Sequence, residues 1–157
     1  MKSPRSALYV LAGLSLIFAL AAVAQKTQAS RPASPIYGVT LPDGYPQWQL
    51  IAPSHEGAPL NELRAVVGNA VAIKAYEDRT LPFPDGAVLA KLAWKHVPST
   101  EFAPAFIPGA PTTVQIMVKD SKKYAASGGW GFGRFVAGKP AAPGTSTQTE
   151  SYRAHLG

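Results

Sequence analysis

The chain has 157 residues, a formal net charge of +6, 15 prolines, 14 glycines and no cysteine. That length fits one domain, and the missing cysteines exclude disulfides, thiolate metal sites, cysteine nucleophiles and thioether-bound cofactors. The positive charge is scattered, without a Lys/Arg run interleaved with aromatics, so a nucleic-acid interface is unsupported.

The first residues read as an export address. Lys2 and Arg5 make a basic start, an apolar run follows from Ala7 to Leu20, and Ala22-Val23-Ala24 places small residues at −3 and −1 of a cleavage site. The run is shorter than the roughly 20 residues of a membrane span. Residues 1–24 are therefore expected to be a cleaved signal peptide, with Gln25 opening a soluble, exported protein. Loss of Lys2 and Arg5 lowers the net charge from +6 to +4.

Residues 25–47 are polar and proline-rich, so 25–41 reads as a flexible leader and Pro42-Asp43-Gly44 as the turn that opens a domain over 42–137. Trp48 to Ile51 and Leu63 to Val67 have strand content. Asn69 is placed to cap a short helix from Ala70 to Tyr76, which must stop before Leu81-Pro82. Pro84-Asp85-Gly86 is a turn that launches an apolar strand, Ala87 to Trp94. A proline-rich loop, Pro98 to Pro111, leads to a β-branched strand, Thr112 to Lys119. Asp120 or Ser121 caps a second short helix over Lys122 to Ala126, Gly128-Gly129 ends it, and Trp130 to Val136 returns as a strand. Residues 138–150 are Gly, Pro, Ala, Ser and Thr, which makes 138–157 a flexible tail. The expected fold class is α+β, a mainly antiparallel β-sheet with two short helices.

Lys91 interrupts the apolar run Ala87-Val88-Leu89-Ala90-Lys91-Leu92-Ala93-Trp94 and shares a strand face with Leu89 and Ala93. It is either one polar tooth on a solvated face or an amine in an apolar pocket. In the second case desolvation lowers its pKa and frees a nucleophilic lone pair. Gln115 interrupts Val114, Ile116 and Val118 in the same way, as a surface glutamine or as a hydrogen-bonding group lining a pocket. Arg64 allows the same pair of readings, with a surface ion pair as the plain one. His55 and His96 read as ordinary surface residues, and the three histidines match no metal-ligand spacing. The Gly128–Gly133 run is a tight turn into a strand and lacks the strand-loop-helix context of a phosphate loop. No hydrolase, zinc or paired-carboxylate motif is present.

Several segments together resemble the cytochrome P-460 family and its relative cytochrome c prime beta. They are Pro42-Asp43-Gly44-Tyr45-Pro46-Gln47-Trp48, Leu63-Arg64-Ala65-Val66-Val67-Gly68-Asn69, and Pro84-Asp85-Gly86 through Lys91-Leu92-Ala93-Trp94-Lys95. Met117-Val118-Lys119-Asp120-Ser121-Lys122-Lys123-Tyr124-Ala125, continuing Ser127-Gly128-Gly129-Trp130-Gly131-Phe132, is the most specific. The resemblance implies a mainly β-sheet haem protein of the bacterial periplasm, with a homodimer left open. Its partners would be a small nitrogenous or gaseous ligand and a periplasmic redox protein. Lys91 falls at the position of a lysine cross-linked to the porphyrin in the hydroxylamine-oxidising members. Gln115 falls at a pocket carboxylate and Arg64 at a pocket arginine.

The departures are chemical. Ser151-Tyr152-Arg153-Ala154-His155 stands where the resemblance implies a Cys-x-x-Cys-His attachment motif. Ser151 and Ala154 replace both cysteines, while His155 keeps the position of the axial haem ligand. A hydroxyl and a methyl cannot add to haem vinyl groups, so any haem is held non-covalently. The chain ends two residues after His155, ahead of the closing segment the resemblance implies. Gln115 cannot act as a base where a carboxylate would. Two functions follow as expectations. One is haem-based nitrogen-oxide or hydroxylamine chemistry, gas-ligand binding or electron transfer, with a hydroxylamine-oxidising oxidoreductase as its enzymatic form. The other is a haem-free binding or structural module that keeps the fold.

Overall fold

The computed structural model describes residues 31–142. The expected signal peptide, leader residues 25–30, and the tail from residue 143 with Ser151, Ala154 and His155 lie outside the described residues.

Six strands form one antiparallel sheet in chain order: β1 (Gln49–Glu56), β2 (Glu62–Gly68), β3 (Val88–Pro98), β4 (Phe106–Lys119), β5 (Trp130–Val136) and β6 (Lys139–Pro140). One α-helix, α1 (Ala70–Glu77), sits between β2 and β3, and 3-10 turns occupy Tyr45–Gln47 and Ala125–Ser127. The fold is α+β. Asn69 fixes the helix start, because its Oδ1 accepts from the backbone N–H of Ala72 at 2.9 Å and of Val88 at 3.0 Å. Its Nδ2 donates to the Gly86 carbonyl at 2.9 Å, so one side chain ties the helix cap to the turn entering β3.

Directly paired residues share a sheet face, and alternate residues along a strand take opposite faces. One face carries the row Val67, Ala90, Ile116 and Gly133. Beside it runs Ala65, Leu92, Val114 and Phe135. This is the core face: Val67, Ala90, Ile116 and Phe135 are buried with Val39 and Tyr124. Gly131 on the same face leaves room for the Tyr124 ring, since an added Cβ would fall within 2.6 Å of its Cε1.

Several expectations need correction. The described part of the leader is a lid on the core. Ala33 bridges Thr40, Val39 is buried, and Tyr37, Leu41, Tyr45 and Trp48 pack against the core cluster. The Ser34 hydroxyl donates to the Phe132 carbonyl at 3.1 Å, and Tyr37 meets the Tyr124 and Phe132 rings edge-on. A sheet with one apolar face needs a cover, and this proline-rich segment supplies it.

Half of the expected loop from Pro98 to Pro111 is sheet, because β3 runs to Pro98 and β4 starts at Phe106. β5 pairs with β4 only over Val114–Lys119, so the first half of β4 has a neighbour on one side alone. Pro108 and Pro111 sit on that edge, where a missing N–H costs nothing. Pro53 is tolerated in β1 for the same reason, as β1 is the sheet edge. The second expected helix, Lys122–Ala126, is a turn ending in the 3-10 segment Ala125–Ser127. Asp120 caps that turn by accepting from the N–H of Lys122 and Lys123. Ser121 instead donates to Asp85, at 2.8 Å from its N–H and 2.6 Å from its hydroxyl, holding the Asp85 carboxyl below its usual pKa. The tail begins with a strand: Ala137 and Gly138, both at positive φ, turn the chain so that β6 pairs with β5.

Candidate functional site

The face opposite the core carries the polar interruptions. Val66, Lys91, Gln115 and Arg134 form one cross-strand row from β2 to β5. Arg64, paired with Ala93 and Thr113 in the next row, is a diagonal neighbour of Lys91. With strands about 4.8 Å apart, Lys91 and Arg134 stand roughly 10 Å apart at the backbone. Leu89 and Met117 flank the row on the other side, and Ala93 is buried. Lys91, Gln115 and Arg64 are each partly buried on this one face. The solvated-tooth reading of Lys91 and the surface reading of Gln115 describe more exposed side chains than these.

Two carboxylates organise the cations. Glu62 is 6% exposed and accepts from Arg64 Nε at 3.2 Å and Nη2 at 2.9 Å, and from the Thr112 hydroxyl at 2.7 Å. Glu56 pairs with Arg64 Nη1. Arg64 thus makes an ion pair, but with a side chain only 14% exposed it is no surface pair. Despite both partners, burial and the nearby charge of Arg134 hold the Arg64 pKa below the usual guanidinium value. Lys91 is affected more. Its pKa is lowered from 10.5 to about 8, mainly by burial and also by Arg64 and Arg134, while Glu62 pulls the other way. A lysine in this state carries a usable lone pair near neutral pH.

Glu62, Glu56 and Arg134 were not singled out in the sequence. Arg134 carried the same signal as Lys91, a lone charge in the run Trp130–Val136. Glu62 gave no signal, since a carboxylate at a strand start is usually solvated. His55 is exposed and His96 partly exposed, as surface residues. His55 lies within β1 and His96 within β3, and their rings stack at 4.3 Å between centroids, with His96 on Phe106 at 4.0 Å. Among the described residues no cluster of His, Asp or Glu has the makings of a metal site. A separate open groove of about 440 Å³ beside α1 is lined by Val71, Lys74, Asp78 and Pro84 among others, away from Lys91.

The face therefore offers Arg64 held by Glu56 and Glu62, Arg134, one amine of lowered basicity, one neutral amide and flanking apolar surface. Such a set suits a flat, partly apolar molecule with carboxylate or phosphate groups. It cannot form thioether bonds, and His155, Ser151 and Ala154 lie outside the described residues. Residues 42–156 match the family Cytochrome P460. No curated protein matches the chain.

Proposed function

The chain belongs to the cytochrome P460 family, and on that premise we propose that it is an exported haem protein that holds its haem without covalent attachment. Its chemistry is that of gas-ligand binding or electron transfer. The observation that carries the reading is the row of Lys91, Gln115 and Arg134 with Arg64 beside it, on a face flanked by Leu89 and Met117. Residues of this kind would suit a porphyrin, with the cationic side chains of the row beside its propionates and Leu89 and Met117 against its ring. They do not fit thioether attachment, because the sequence contains no cysteine. If bound, haem would be held by His155 and would supply a redox-active iron for ligand binding or electron transfer.

The chain's own residues favour ligand binding over hydroxylamine oxidation. Oxidation needs a base at the Gln115 position, and an amide takes up no proton near neutral pH. The arginines keep fixed charge on the face at any physiological pH. Export, with cleavage after Ala24 into the periplasm, is part of the proposal, and intact-mass analysis of periplasmic material checks it.

Haemin titration followed by visible spectra tests the reading, with a denaturing gel stained for haem and His155→Ala as controls. Saturable binding that is lost in His155→Ala, with no haem surviving denaturation, supports it. Haem that survives denaturation contradicts it. No binding in any form favours the second reading, a haem-free module that keeps the fold, for which the missing cysteine pair is the observation.

A further inference from the structure

The lid covers only part of the core face. Its packed residues lie against the cluster of Val67, Ala90, Ile116 and Phe135. Further along the strands, pairing places His55, Leu63 and Trp94 side by side on that same face. There Leu63 and Trp94 are half-buried and His55 is exposed. Leu50, paired with Val67, and Phe106 are each 53% exposed. The rings of His55, His96 and Phe106 stack in series, with centroids 4.3 and 4.0 Å apart, and so carry the strip from β1 across to β4. Charge is sorted away from it. Glu56, Arg64 and Lys95 follow His55, Leu63 and Trp94 in the chain and therefore alternate to the opposite face. From His96 to Val118 the chain carries one charged residue, Glu101.

We infer that this strip is the interface of a two-fold dimer, in which a second copy of the chain lays the same face over it. A flat apolar sheet face packs well on another sheet face, and two-fold symmetry lets one patch complement itself. Aromatic and apolar side chains without charge are what the centre of such an interface requires. Charge decides the occupant. The chain is net positive, so two copies repel each other except where they meet over a neutral face. A strongly charged partner finds nothing on this strip to attract it. The strip spans four strands, about 19 Å across, and about eight residues of β3, roughly 26 Å along. That is on the order of 500 Å² per copy, near the lower limit of roughly 1,000 Å² in total for a specific interface. The dimer should therefore be weak, with a Kd in the micromolar range. The inference uses the face opposite Lys91 and does not rest on haem binding, so either can fail alone.

Sedimentation equilibrium of the chain, purified as an exporting host processes it, tests this over roughly 1–200 µM, where a reversible monomer–dimer equilibrium is expected. Leu50→Glu and Phe106→Glu alter side chains that are already half exposed, so the fold is kept, and each puts two carboxylates into the dimer interface. Each should weaken association about tenfold or more. Leu81→Glu adds the same charge between α1 and β3, at a side chain 78% exposed, and should leave association unchanged. Thermal unfolding at a concentration where all variants are monomeric checks the fold, and two positions on different strands keep the test decisive if one variant misfolds. A chain that is monomeric at every concentration overturns the inference. So does a dimer that Leu50→Glu and Phe106→Glu leave as tight as before, or that Leu81→Glu weakens equally. Phosphatidylglycerol vesicles are offered in parallel. A monomer that binds them, and loses them in Phe106→Glu, overturns the inference in favour of a bilayer surface.

Discussion

Replacing Glu62 by Gln asks whether this carboxylate organises the cationic face. The side chain is almost fully buried and accepts two bonds from Arg64 and one from Thr112. Glutamine keeps the shape. Its oxygen can still accept from Arg64, and the Thr112 hydroxyl can rotate to accept from the new amide, so charge is what is lost. A hydrogen bond to a charged group contributes about 1 kcal/mol more than a neutral one, so two such bonds put the loss near 2 kcal/mol. Arg64 keeps Glu56, which holds the loss below the roughly 3–5 kcal/mol of orphaning a buried charge. Glu62→Ala, which removes all three bonds, should reach that range. In urea unfolding at pH 7, a 2 kcal/mol loss lowers the midpoint by about 1 M for a domain of this size. The substitution also has an electrostatic readout. Glu62 raises the Lys91 pKa, so its loss must push Lys91 below about 8, as followed by the pH dependence of its chemical labelling. An unchanged midpoint together with an unchanged Lys91 titration would refute the reasoning.

Further outcomes follow from the same structure. The folded-state pKa of Lys91, about 8, lies below its ordinary 10.5, so between those values the unfolded chain binds more protons and stability rises with pH. The unfavourable contribution is complete below about pH 8. Lys91→Met should therefore raise stability at pH 7 and flatten the rise between 8 and 10.5 in urea midpoints, and an unaltered slope would contradict the assignment. Asn69→Ala leaves the N–H groups of Ala72 and Val88 and the Gly86 carbonyl without this partner, a loss of about 2–3 kcal/mol. Asn69→Asp keeps both acceptances and should lose about 1 kcal/mol, with thermal unfolding of the two variants giving the order. Gly131→Ala drives a methyl into the Tyr124 ring and should cost about 1–3 kcal/mol. That cost should vanish in a Tyr124→Ala background, and persistence there would place the strain elsewhere.

Local signals located most of the sheet. Pro84-Asp85-Gly86 and the apolar run behind it located β3, and Asn69 located the start of α1, because a turn and a cap depend on a few adjacent residues. What escaped depended on distant partners. Proline argues against a strand only where an adjacent strand needs the missing N–H, and edge position spared Pro53, Pro108 and Pro111. Val39 looks like part of a polar leader until the uncovered row of Val67, Ala90 and Ile116 is known to need a lid. The Lys122–Ala126 helix failed for another reason: Asp120 caps a turn as readily as a helix, and too few residues remain before Gly128 to propagate one. The candidate site was half legible. Alternation put Lys91 with Leu89 and Ala93 and set Gln115 off the core face. Register was needed to place Arg134 on that row, and the start of β2 at Glu62 to bring that carboxylate onto the face of Arg64.

The proposed function draws on one electrostatic circumstance. Arg64, Lys91 and Arg134 share a face on which Glu56 and Glu62 both engage Arg64. Burial is the main reason that the Lys91 pKa falls to about 8, with Arg64 and Arg134 also lowering it and Glu62 raising it. An anion settling on the face would favour the ammonium and raise that pKa again. A porphyrin bound through its propionates should therefore move the Lys91 titration upward, and with no cysteine to fasten it, its occupancy is decided by affinity and concentration.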